Sequence, residues 1–253
     1  MIVSKKFKKF KDISHCFFNR NNGKSTGIYK SLNCGIGSAD NKKNIKKNLK
    51  IVCKKIGCST KNLFTLYQIH SSKFIFINKN FNNNKKKLIG DALITKNKNI
   101  ALGILTADCV PILIYDQKLK IISAIHAGWK GAYKGIVNKV IKFLIKKGSN
   151  PKNISAVIGP CIAQKNYEVQ KDFKDKFLKK DKKNIIYFKR IKNKTYFSLN
   201  NYVYNQLREK GVKNVDIIYK DTFNKRNNFF SARRSAFNNE SDYGRNISII
   251  MIK

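Results

Sequence analysis

Acids, proline, tryptophan and histidine are all scarce in this chain: 14 Asp and Glu stand against 54 Lys and Arg, with three Pro, one Trp and three His in 253 residues. Each scarcity excludes something. The prolines, Pro111, Pro151 and Pro160, fall in mid-chain with no Gly- or Ser-rich stretch around them, so no linker divides the sequence. No apolar run approaches the roughly 18 to 20 residues of a membrane span, and the lysine-rich start is not followed by an apolar stretch of signal-peptide length. The six cysteines, Cys16, Cys34, Cys53, Cys58, Cys109 and Cys161, include no CxxC pair, and reduced thiols are the simpler expectation. A cytoplasmic protein of one domain, residues 1–253, follows, with no membrane partner and a monomer or homodimer as its state. At 42% hydrophobic residues the chain is long enough for one substantial core.

The formal charge of +40 points at first sight to nucleic acid. The lysines, however, run almost end to end together with abundant Asn and Ile, the trio that AT-rich codons favour. Composition thus accounts for the charge without a ligand. A dedicated nucleic-acid protein concentrates its cations on one element with aromatics interleaved. Runs such as Lys5-Lys6-Phe7-Lys8-Lys9 and Lys85-Lys86-Lys87 are short and fit solvated faces. No specific nucleic-acid partner is expected, although the positive field favours anionic substrates.

Periodicity outlines a mixed α+β chain. Ile13 to Phe18 reads as a strand leading into a polar turn over 19–26, and Asp40 is placed to cap a helix that carries Ile45, Leu49, Val52 and Ile56 on one face. Strands are expected over Leu63 to Ile69, Lys73 to Ile77, Ile100 to Leu105, Val110 to Tyr115, Ile121 to Ile125, Ile154 to Ile158, Val215 to Tyr219 and Ile247 to Ile252. After a turn at Ala127-Gly128-Trp129-Lys130-Gly131, Ile136, Val137, Val140, Ile141 and Leu144 mark an amphipathic helix closed by Gly148. Leu199, Val203 and Leu207 mark another. The several strand-to-strand steps argue for mixed sheets over a regular doubly wound fold.

Two of the three histidines, His70 and His126, stand at the ends of expected strands, and Cys109 sits in the polar break between two apolar runs. Strand ends hold a side chain rigidly while loops keep it accessible. Two imidazoles and a thiolate supply three ligands to a borderline metal and leave a fourth position open, the pattern of a catalytic zinc site. The separations match no local ligand motif, so on spacing alone core or hydrogen-bonded histidines and an inert buried thiol are the stronger reading. Asp108 reads either as a turn residue or as a general base or ligand-orienting group. Trp129 is expected as a packing anchor. Gly128, Gly131 and Gly135 lack the pattern of either nucleotide fingerprint. Arg233, Arg234, Arg245 and Arg20 stand out in a chain that prefers lysine, as sites where a planar fork is needed for phosphate or carboxylate, or as partners of Glu240 or Asp242.

The ordered motifs resemble one bacterial family. They are Gln68-Ile69-His70, Gly90-Asp91-Ala92, Thr106-Ala107-Asp108-Cys109-Val110-Pro111, His126-Ala127-Gly128-Trp129-Lys130-Gly131, Ile158-Gly159-Pro160-Cys161-Ile162, Phe230-Ser231-Ala232-Arg233-Arg234 and Tyr243-Gly244-Arg245, with Phe17-Phe18-Asn19-Arg20 and Ser31-Leu32-Asn33 near the start. The family was first described as multicopper polyphenol oxidases or laccases (YfiH-like) and is now understood as purine nucleoside phosphorylases. The resemblance implies a layered α/β/β/α sandwich of mixed sheets with flanking helices, and zinc, with copper possible, on His70, Cys109 and His126. It implies phosphorolysis of adenosine, inosine, guanosine and methylthioadenosine by inorganic phosphate, with deamination of adenosine. Catalytic roles then fall to Cys109 and Asp108, and substrate or phosphate binding to Arg20, Arg233 and Arg245. The chain departs from the family at Asp221, Ala232 and Asn21-Asn22. The rivals are a metal-free Cys-His hydrolase, a copper oxidase, for which three histidines are too few, and a basic nucleic-acid-binding protein.

Overall fold

In the computed structural model, which describes residues 1–78, 81 and 88–253, two sheets lie face to face. The Lys85-Lys86-Lys87 run falls outside the described residues. The larger sheet has the order β12 (Asn214–Ile217), β8 (Ile154–Ile158), β6 (Val110–Asp116), β7 (Ile121–Ala127), β4 (Ala92–Thr95) and β3 (Phe74–Ile77). The smaller has β1 (Ile13–Phe17), β13 (Asn246–Ile252), β5 (Ala101–Thr106) and β2 (Leu63–Phe64). The pairs β12·β8, β3·β4 and β2·β5 are parallel and the others antiparallel, so both sheets are mixed.

The two-residue period of the strands builds the layers. Val110, Ile112, Ile114, Ile125 and Ile158 pack against α4 (Ile136–Lys146), α6 (Leu199–Glu209) and the short α3 (Trp129–Tyr133). Their neighbours Leu113, Tyr115, Ile122 and Ala124 point the other way and meet Leu102, Ile104, Ile250 and Ile252 of the smaller sheet. The outer face of that sheet, with Ala101, Ile247, Ile249 and Met251, is covered by Val52 and Ile56 of α2 (Lys42–Ile56). Helix, sheet, sheet and helix follow in the expected order. Burial of each fully enclosed Leu or Ile contributes about 1.5–3 kcal/mol, and both central strands, β6 and β7, are buried along their whole length.

A third, small sheet of β10 (Phe188–Ile191), β11 (Lys194–Phe197) and β9 (Glu168–Val169) sits with α5 (Lys171–Lys180) over a cluster of Phe173, Phe177, Phe188 and Phe197. Near the start, α1 (Lys5–Lys8) buries Phe7, and α7 (Ala232–Phe237) precedes the last strand. Among the described residues no helix is long and apolar enough to cross a membrane.

Three local expectations differ from the structure. Asn41 caps α2, accepting from Lys43 N at 2.9 Å, because the Asp40 carboxylate is already taken by Ser25 Oγ and Asn33 Nδ2 in a buried polar knot. The strand expected over Leu63 to Ile69 ends at Phe64. Beyond it the Gln68 amide takes over the ladder, giving Nε2–H to Leu105 O at 2.7 Å and accepting from Leu105 N at 2.9 Å, which frees the chain to swing His70 outward. The turn expected at 127–131 is instead the direct passage of β7 into α3, with Gly128 at the cap.

Candidate metal centre

The coordinating atoms of His70, Cys109 and His126 lie within 4.8 Å of one another, where β7 and β5 end and β4 begins. His126 is carried on the penultimate residue of the buried β7. His70 stands on the segment that Gln68 pins to β5, with φ of 55°, and Asp108 has φ of 87°, so the residues that present two of the donors are held in the left-handed region. Such geometry costs about 1–3 kcal/mol per residue and persists only where surrounding bonds enforce it.

The enforcing group is Asp91. Its fully buried carboxylate accepts four bonds: His126 Nδ1 at 2.8 Å and His70 N at 3.0 Å on Oδ1, and Ser71 N and Oγ, both at 2.6 Å, on Oδ2. A carboxylate only accepts, so His126 carries a proton on Nδ1 and turns Nε2 toward the centre. Burial alone would raise the Asp91 carboxyl, but the bonds from His126 and Ser71 hold it below the usual range.

Cys109 Sγ lies 3.8 Å from His70 Nε2. Burial pushes its thiol up, yet the charge of His126 and hydrogen bonding to both imidazoles outweigh that and bring it down to about 6. Burial acts to lower His126, while the Cys109 thiolate and Asp91 lift it to about 9. The donors therefore form a thiolate–imidazolium pair ready to exchange its proton for a cation. Gly128 closes over them, and a Cβ there would stand 2.6 Å from His70 Cδ2 and 3.0 Å from Cys109 Sγ. Gly128 thus serves close approach to the donors. The centre opens into a cavity of about 310 Å³ walled by Leu66, Leu105, Ala107, Tyr243 and Arg245.

The remaining expected residues are dispersed. Asp108 points away from the cavity: its carboxylate accepts from Thr222 Oγ1 at 2.6 Å and Arg233 N at 2.7 Å, and burial pushes its carboxyl up. Of its alternative readings, this geometry matches a residue that ties loops together. Arg245 borders the cavity but faces Asp242 at 3.8 Å. Arg234 is fixed by the carbonyls of Thr222, Phe223 and Phe229. Arg20 donates to Lys30 O and lies 4.6 Å over the Phe230 ring, apart from the cavity wall. Arg233 lines a separate groove with Trp129, whose ring packs 4.9 Å from Phe173 as an anchor. The third histidine, His15, is buried elsewhere, with Nε2 accepting from Ser4 N, so only two imidazoles meet at the centre. Asp91 was visible in sequence only as part of a motif, without a role.

An α/β/β/α sandwich bearing a His-Cys-His donor set at its strand ends defines the class of protein. The chain belongs to the family whose model is described as multi-copper polyphenol oxidoreductase laccase, which matches residues 14–253. It is similar to a purine nucleoside phosphorylase of Rickettsia conorii, with 34% identity over 97% of this chain and 94% of the relative. A purine nucleoside phosphorylase of Bacteroides thetaiotaomicron is 31% identical over 100% of this chain and 96% of its own. Among solved structures, the hypothetical protein YfiH of Bacillus licheniformis superposes with a TM-score of 0.89 at 28% identity, covering 97% of this chain and 95% of that one.

Proposed function

We propose that this chain, acting as one unit over residues 1–253, is a metal-dependent purine nucleoside phosphorylase of the cytoplasm. The observation that carries the reading is the convergence of His70, Cys109 and His126 on the floor of a cavity with apolar and cationic walls. The names of the relatives supply the substrate class. Adenosine, inosine, guanosine and methylthioadenosine are the proposed nucleosides, with inorganic phosphate as co-substrate.

The donor set fits a metal. Two imidazoles, one fixed as the Nδ1–H tautomer, and a thiol already inclined to ionise suit zinc, with copper as the alternative ion. When bound, such an ion supplies Lewis-acid polarisation of a substrate oxygen. The rest falls to the chain's own residues. Leu66, Leu105 and Tyr243 give the purine an apolar and aromatic surface, and Arg245 at the cavity wall draws in and orients phosphate. A phosphate oxygen then forms a bond to ribose C1′ as the C1′–N bond breaks and its electron pair leaves with the base. The products are free purine and ribose 1-phosphate, or methylthioribose 1-phosphate from methylthioadenosine. Deamination of adenosine to inosine, which consumes water and releases ammonia, is proposed for the same cavity.

Protein of measured metal content, incubated with adenosine and inosine with and without phosphate, tests this. Ribose 1-phosphate formed only when phosphate is present is the expected result; no turnover of either nucleoside refutes it. The alignment of Cys109, His126 and Asp91 also favours a second reading, a metal-free Cys-His hydrolase with Cys109 as nucleophile. Activity that survives complete metal removal and is abolished by thiol alkylation would select it.

A further inference from the structure

Most polar side chains that line the cavity at the metal centre already have a task. Gln68 uses both ends of its amide on Leu105, Arg245 faces Asp242 at 3.8 Å, and His70, Cys109 and His126 form the donor set. Tyr67 is exposed and Tyr243 half-buried. Thr106 differs. It lines the same cavity and is only 4% exposed, yet its hydroxyl takes part in no hydrogen bond among the described residues. Its carbonyl is fixed separately, accepting from Asn246 Nδ2 at 3.1 Å. A buried hydroxyl without a partner is unfavourable, and one at a cavity wall is free to meet a ligand.

Strand parity aims this hydroxyl. Thr106 is the last residue of β5, in step with Leu102 and Ile104, which face the larger sheet. His126 is in step with Ile122 and Ala124 of β7, which face the smaller sheet. The Thr106 hydroxyl and the His126 imidazole therefore both point between the sheets, at the end of the sandwich where the donor set lies. Leu66, packed with the same inner residues, adds an apolar wall beside them. A nucleoside in this cavity must leave C1′ open to phosphate, so its base enters with the edge farthest from N9 leading. That edge carries C6. A hydroxyl rotates to suit its partner: it accepts from a 6-amino group and donates to a 6-oxo group.

We infer that Thr106 is a specificity-determining residue whose hydroxyl reads the C6 substituent of the purine and takes amino and oxo groups alike. The choice of a purine rests on the phosphorylase reading; the uncommitted hydroxyl beside the donor set does not.

The test compares Thr106→Val, which keeps the branched shape and removes the hydroxyl, and Thr106→Ser, which keeps the hydroxyl, with the native, metal-loaded chain. Adenosine, inosine and purine riboside, which carries only hydrogen at C6, are phosphorolysed in parallel, with release of free base as the signal. The readout is the ratio of kcat/KM for each of the first two to that for purine riboside. Thr106→Val should lower both ratios about five- to a hundredfold, because a buried substrate group then loses its partner. Thr106→Ser should hold them near the native values. Metal analysis and circular dichroism establish that each variant is loaded and folded. A ratio that does not fall in Thr106→Val, for either nucleoside, overturns the contact and leaves the phosphorylase reading intact. If the native protein phosphorolyses none of the three, the phosphorylase reading fails and equilibrium dialysis of the same nucleosides decides the contact. Binding of adenosine and inosine that Thr106→Val weakens relative to purine riboside supports it; binding that is unchanged or absent overturns it.

Discussion

Asp91→Asn is the substitution that asks most of the proposed metal centre, because it changes neither shape nor volume. The Asp91 carboxylate receives His126 Nδ1–H, His70 N–H, Ser71 N–H and Ser71 Oγ–H. An amide has one acceptor oxygen and one NH2. If the oxygen keeps the two histidines, the Ser71 hydroxyl can rotate to accept from the NH2, but Ser71 N–H then meets another donor. At least one charge-assisted bond is lost outright, about 1.5–3 kcal/mol, and the His126 proton is left with a weaker partner. Converted at 1.4 kcal/mol per decade, metal affinity should fall about ten- to a hundredfold, the size expected for a group that orients a ligating histidine. Titration of metal-loaded protein with a chromophoric chelator measures it. A thermal melt of the metal-free protein accompanies it, since a loss of stability in the fold itself lowers Tm by about 2–4 °C per kcal/mol for a chain of this size. A chelator midpoint that does not move in Asp91→Asn refutes the reasoning, whatever happens to Tm, and leaves Asp91 as a residue of the fold alone.

Cys109→Ala is expected to abolish both metal retention and phosphorolysis, read by elemental analysis and ribose 1-phosphate formation; full activity in a metal-free Cys109→Ala protein contradicts the proposed function. In the metal-free native chain, iodoacetamide should modify Cys109 with a rate that rises through a midpoint of about 6, while Cys16, pushed up to about 11 by burial, stays inert, as peptide mapping across pH can establish. The sign follows from the shifts. The lowered thiol pKa makes the thiolate–imidazolium pair present above about 6 and lost as pH falls through it, and the raised His126 pKa removes the imidazolium as pH rises through about 9. Metal-free protein should therefore be most heat-stable between those limits, and a melt that is flat across them argues against the pair. Gly128→Ala places a methyl 2.6 Å from His70 Cδ2, so metal affinity should drop sharply with the circular dichroism spectrum unchanged; retained affinity would mean that the loop yields.

What was legible in the sequence follows from the range of the interactions involved. The buried strands β6 and β7 and the helix α4 announce themselves through local periodicity, because each buries one contiguous set of side chains. The donors were legible for a different reason: histidine is rare here, and two of three stand at the ends of strands expected from the sequence. Gln68 reads as a strand residue from its apolar neighbours, whereas it is its side chain that bonds the Leu105 backbone, 37 positions away and beyond the reach of local periodicity. The third sheet, with β9 and β10 short and half exposed, gave no period to follow.

Asp91 is the instructive omission. A Gly-Asp-Ala triplet reads as a turn, and its partners His126 and His70 lie 35 and 21 positions away, brought together only when Ala92 of β4 registers with Ile125 of β7. Yet a signal was present in the composition. A chain with 54 basic residues and 14 acids gains no solubility from its few carboxylates by balance of charge, so an acid placed between apolar strands has a local reason to be there. Asp91 and Asp116 are both wholly buried and Asp40 nearly so; Asp40 and Asp91 receive backbone or side-chain donors from distant segments, and Asp116 caps the turn at Lys118 and Leu119. In such a composition the abundant cations say little about function, and the scarce acids next to histidine or a strand start mark where loops are being held in place.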